Sequence, residues 1–192
     1  VPILKETSPT RTGVPKILPV LIAAILAGMF YYAYYLDDVE IASPDKTVDH
    51  FYQAYLARDY ETVARDLSVF WSVNYLPQYM DMSPAELLDN RAEIEKETAA
   101  MLKSLEAEQP FEEGISVEVL MEYTKTGEYS ALVVYQVMHE GEPIQKEVAL
   151  LIREAGDYKI INLSPIRESD LEMVQNYSLD QLDESFKQLL EV

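Results

Sequence analysis

The chain has 192 residues, with 15 Lys and Arg against 34 Asp and Glu, for a formal net charge of −19. That balance excludes a binder of nucleic-acid backbones, which needs clustered Lys and Arg, and it disfavours an anionic lipid surface as a resting place for the acidic part. Cys is absent, so disulfides, Cys–zinc sites and thiol nucleophiles are excluded together.

The first element is the uncharged run 17–36, ILPVLIAAILAGMFYYAYYL, as long as a bilayer's hydrocarbon core is thick. Lys5, Arg11 and Lys16 precede it against a single Glu6, which predicts that residues 1–16 form a cytoplasmic tail. Tyr31, Tyr32, Tyr34 and Tyr35 crowd its far end, where amphipathic rings favour the membrane–water interface, and Asp37 and Asp38 mark the exit into water. No A-x-A pattern offers a signal cleavage site. Leu26-Ala27-Gly28 resembles the start of a lipoprotein box, but Met29 stands where a Cys is required. The run is expected to be a single-pass anchor contacting the lipid bilayer, N-terminus inside and the rest outside the cytoplasm, with 37–42 as a short linker.

Residues 43–166 read as one α+β domain. Ser43-Pro44 opens a helix whose stripe is Val48, Phe51, Tyr52, Tyr55 and Leu56, ending near Arg58. A second helix is expected from Tyr60 to Ser72, with Val63, Leu67 and Phe70 on one side. Ser83-Pro84-Ala85-Glu86 is a capping box opening a long helix to about Glu108, with Leu87, Leu88, Ile94, Met101, Leu102 and Leu105 inward. From Gly114 the period falls to two. Ile115, Val117, Val119, Met121 and Tyr123 alternate with polar residues, broken only by Leu120. Turns at Thr126-Gly127, Glu140–Pro143 and Gly156-Asp157 lead into strands through Tyr129–Val137, Ile144–Arg153 and Tyr158–Leu163, a four-stranded antiparallel meander. In 167–192, Ser169–Glu172 and Ser178–Gln181 have capping-box spacing. Leu179, Leu182, Phe186, Leu189 and Leu190 then form the stripe of a C-terminal amphipathic helix, packed on the sheet or offered to another subunit.

Helices followed by a curved meander, together with TVDHFYQAYLARDYETVARDLS at 47–68, resemble the cone-shaped nuclear transport factor 2-like superfamily. The resemblance covers Pro44 to Ile166. No strand is evident between the opening helices, where many members carry a short one. An anchor followed by such a cone is similar in architecture to the bitopic scaffold subunits of type IV secretion and conjugation machines. It implies an extracytoplasmic module that oligomerises or contacts other subunits.

Catalytic chemistry finds little support in the residues. His50 points away from its helix's apolar stripe, and its neighbour Asp49 lies on a different face. His139 ends the second strand near a turn. An isomerase-like site would need a carboxylate or His base deep in the cone beside a Tyr donor. Tyr123, Tyr129 and Tyr135 are on the inferred inner face, while the strand carboxylates fall mostly on the other. Glu112-Glu113 and Glu93/Glu95/Glu97 lack the geometry of a calcium loop, so no metal or cofactor is expected. Phe70, Trp71, Tyr75, Tyr79, Met80 and Met82, in an irregular connection, are residue types enriched at interfaces and pocket rims. With Leu182, Phe186 and Leu189 they are the candidate contact residues. The expected function is a non-catalytic interaction or accessory subunit of a bacterial envelope complex. The alternative is an extracytoplasmic ligand-binding or isomerase-like cone with an apolar pocket.

Overall fold

The computed structural model describes Leu26, residues 43–108 and residues 113–191. The run 17–36, apart from Leu26, and its four tyrosines lie outside the described residues, as does Glu112. Among the described residues no helix is long and apolar enough to cross a membrane. Residues 43–191 belong to one compact unit.

Helix α1 (Pro44–Leu56) starts with proline at its first turn, where no backbone donor is lost. Ser43 precedes it in extended conformation but does not cap it, since its hydroxyl donates to Asp45 instead. Asp59 caps α2 (Tyr60–Asp66) through the Thr62 backbone N–H at 3.2 Å. The expected helix from Tyr60 to Ser72 is broken. Leu67 is extended, forms a single parallel bridge with Ile160, and Ser68 then caps the four-residue α3 (Val69–Ser72). Burial wins over helix continuity here, because Leu67 is fully buried in the main core at the sheet edge. A 3₁₀ turn, Pro77–Tyr79, follows.

The Ser83–Glu86 capping box forms as expected, but its helix stops after one and a half turns. α4 (Pro84–Asp89) ends at Asn90, whose side-chain amide donates to the Glu86 carbonyl, and α5 (Arg91–Glu108) resumes beyond it. Leu87 and Ile94 are buried, while Leu105 is half exposed and not part of the inward face.

The sheet runs β1 (Ile115–Val119), β3 (Ser130–His139), β4 (Glu142–Glu154), β5 (Asp157–Ile166), all antiparallel. The short β2 (Lys125–Thr126) also pairs with β3. The first strand is therefore interrupted where Leu120 breaks the alternation. A 3₁₀ turn, Met121–Tyr123, takes Tyr123 to the outer face, against Val134 and Leu171. Residues Glu140-Gly141 and Ala155-Gly156 form two-residue turns with positive φ at both positions, the geometry that matches strand twist. An extra residue in β5, between Asn162 and Ile160, lets Ile160 and Leu163 share the inner face despite their odd spacing.

The main core lies between this inner face and α1, α2 and Leu67. Val48, Phe51, Val63, Val133, Tyr135, Leu151 and Ile160 are at its centre. A second core joins Val69, Leu76 and Tyr79 to Leu87 and Ile94, and a third covers the outer face with Leu171 and Val174 of α6 (Leu171–Asn176). Neither expected C-terminal capping box forms. Ser169 sits in a 3₁₀ turn, and Ser178 accepts from Asp180 without a helix cap on α7 (Asp180–Leu190). α7 packs against β3 and α4, with Leu179 and Phe186 buried.

Candidate functional site

The connection from Val69 to Met82 is more ordered than its irregular composition suggests, and it divides by exposure. Tyr79 is buried in the second core, with Phe70 and Met82 packed on it. Trp71 leans on the main core and stacks obliquely on Tyr75, ring centroids 4.6 Å apart. Tyr75 and Met80 remain 53% and 64% exposed. The exposed apolar groups of this connection, its ledge, are therefore the Trp71–Tyr75 pair and, five residues on, Met80. Leu182 and Leu189 are half-buried, and Phe186 is covered by the domain itself.

The inner face carries a polar cluster that the sequence reading missed. Tyr135 of β3 and Glu147 of β4 are directly opposite in register, and the Tyr135 hydroxyl donates to the Glu147 carboxylate at 2.5 Å. Tyr52 of α1 completes the set, 2.9 Å from the Tyr135 hydroxyl and 3.2 Å from the same carboxylate oxygen. Glu147 falls on the inner face because the strand alternation of Ala149 and Leu151 continues to it. That parity is visible in the sequence, and Glu147 is an exception to the strand carboxylates falling mostly on the other face. Burial holds both tyrosine hydroxyls well above the usual phenol range. Chemically the set is a base beside two neutral donors, but both hydroxyls and Glu147 Oε2 are bonded within it, and Glu147 Oε1 accepts from the Gln145 amide. The two grooves described on this domain both lie elsewhere, beside α2 and α5 and beside Gly114.

His50 is exposed, and its Nδ1 lies 2.7 Å from Asp66, one helix away rather than next door. Burial raises the Asp66 pKa against the opposing pull of His50. His139 is half-buried at the end of β3. Fully buried Glu154, at the end of β4, accepts from Ser68 and from Arg91 Nη2 at 2.5 Å, tying α3 and α5 to the sheet. Glu95 is 3.6 Å from Arg91 and Glu93 is 3.3 Å from Lys96, so two of the acidic helix residues face cations. Among the described residues no group of three or more His, Asp or Glu is placed to hold a metal ion.

No protein-family model, curated protein or solved structure matches the chain.

Proposed function

We propose that this chain is a non-catalytic docking subunit of a bacterial envelope complex, anchored by residues 17–36 with its acidic domain outside the cytoplasm. One observation carries the reading. The inner face of the sheet is filled and its polar groups are satisfied internally, while the Trp71–Tyr75–Met80 ledge stays open to solvent. A module built this way uses its surface, and half-exposed aromatic and Met side chains are the groups that desolvate most favourably against a partner. The Leu67 bridge lies where many nuclear transport factor 2-like members carry a short strand, which supports assigning the domain to that cone architecture.

The test is native purification from membranes with chemical crosslinking, comparing the parent chain with Tyr75→Ala/Met80→Ala. Both side chains are exposed, so the fold should survive their loss. A crosslinked partner that disappears with the double variant is the expected result. The same partner recovered in equal yield from the folded variant would sink the proposal. The Tyr52–Tyr135–Glu147 cluster favours the second reading, a ligand-binding or isomerase-like cone. That reading requires a ligand that displaces at least one of the three mutual bonds and so perturbs tyrosine absorbance.

A further inference from the structure

One face of α5 meets the stretch from Arg58 to Arg65 across a groove of about 700 Å³. Its floor is small and apolar, from Ala92, Ala99 and Ala100, with the Tyr60 ring beside them. Its walls bring together Arg58, Arg65, Lys96 and Lys103, four of only 15 cations in the whole chain. Three acids also line it, but two are occupied: Asp59 accepts from the Thr62 N–H and hydroxyl, and Glu95 faces Arg91. Thr62 holds the Asp59 carboxyl below its usual range, so it stays an anion bonded to its own helix.

The cations are less committed. Arg65 donates to the Thr62 hydroxyl at 2.6 Å and faces no carboxylate at ion-pair distance among the described residues; neither does Lys103. Among the described residues, Arg58 makes one side-chain bond, from Nε to Glu106 at 2.9 Å. It does so from a left-handed backbone, φ 61°, that a non-glycine residue adopts at some cost. Lys96 pairs with Glu93 at 3.3 Å, so two of the four cations, Arg65 and Lys103, are without an ion pair among the described residues, and on a surface this acidic two such cations beside apolar surface are the exception.

We propose that this groove binds a small organic anion: a carboxylate or phosphate ester held by Arg65 and Lys103, its apolar body on the alanine floor. The volume falls within the range of small-molecule sites, and guanidinium and ammonium donors suit an oxyanion. The site is separate from the docking ledge and stands whether or not that reading holds.

The experiment titrates the full chain, in detergent, with phenyl phosphate, inorganic phosphate, phenol and a hexaglutamate peptide, by calorimetry. Saturable one-to-one binding of phenyl phosphate is expected, with phenol silent and inorganic phosphate weaker. Arg65→Gln/Lys103→Gln should weaken phenyl phosphate at least about tenfold, since charge-assisted bonds are lost. Lys46→Gln/Arg167→Gln, which removes equal charge elsewhere, should leave it unchanged. Absent saturation, an equal effect of both double variants, or inorganic phosphate binding as tightly as its phenyl ester would each overturn the proposal. Tighter binding of hexaglutamate, lost in the groove variant, would overturn it too by making the occupant an acidic peptide.

Discussion

Tyr135 is the residue on which the inner face turns, because it is fully buried yet carries a hydroxyl bonded to both Tyr52 and Glu147. Tyr135→Phe removes that hydroxyl while Tyr52 and Glu147 still bond each other, so the expected loss is about 1 kcal/mol in urea unfolding. The same burial sets a pH limit. Both phenols have folded pKa values above the 10.0 they hold when exposed, so the fold favours their neutral form. Their contribution is complete below pH 10 and is lost as pH rises beyond it, where only the unfolded chain ionises them. The urea midpoint should therefore fall on the alkaline side, and Tyr52→Phe/Tyr135→Phe should flatten that fall. Glu154 presents the sharper cost. It is fully buried against Arg91 and Ser68, and Arg91 Nη1 is buried without a hydrogen bond. Glu154→Gln leaves the guanidinium with only the looser contact to Glu95 at 3.6 Å, and a loss of about 3 kcal/mol is expected from the shift in thermal midpoint.

At the scale of elements, α7 is held by one carboxylate. Asp183 accepts the backbone N–H groups of Glu128, Tyr129 and Ser130 at 2.8–3.0 Å and the Ser130 hydroxyl at 2.7 Å. Gly127 makes room for this, since a Cβ there would stand 2.4 Å from an Asp183 oxygen. Burial works to raise the Asp183 pKa, but the Ser130 hydroxyl and three backbone donors lower it below 3.8. The contact is thus complete above pH 3.8 and lost only as pH falls through the lower folded value. Asp183→Ala should cost about 1–2 kcal/mol, toward the low end because the carboxylate is part-solvated, and should free the amides of 128–130 to exchange. Gly127→Ala should do the same by displacement, and the two together should add little. None of this is legible in the sequence, where Thr126-Gly127 reads as a turn and nothing marks Asp183. The strands were legible because alternation is a local signal, and the Ser83–Glu86 box because both partners are three residues apart. The breaks at Leu67 and Asn90 were not, since the first depends on Ile160, nearly a hundred residues on, and the second on one side-chain amide. Exposure of the candidate contacts is not legible in composition: Tyr75 and Met80 are exposed, while Tyr79 and Phe186 are buried by partners composition does not name.

Over the whole molecule, charge acts against the fold. A formal −19 on 192 residues gives strong self-repulsion. Exposed pairs such as Lys96–Glu93 and Arg167–Asp170 offset little of it, because water screens them and ordering the long side chains costs entropy. Salt shortens the screening length from ~30 Å at 0.01 M to ~3 Å at 1 M, so it weakens the long-range repulsion more than the close pairs. The urea midpoint should therefore rise with added NaCl at constant m-value. A fall would mean that surface ion pairs outweigh repulsion. Under the proposed docking function, a basic partner would meet the same field from outside and be steered toward it, an advantage that salt removes. Salt should thus raise the stability of the domain while slowing capture of its partner in stopped-flow association. If both move the same way, the field of the acidic surface is not what guides docking.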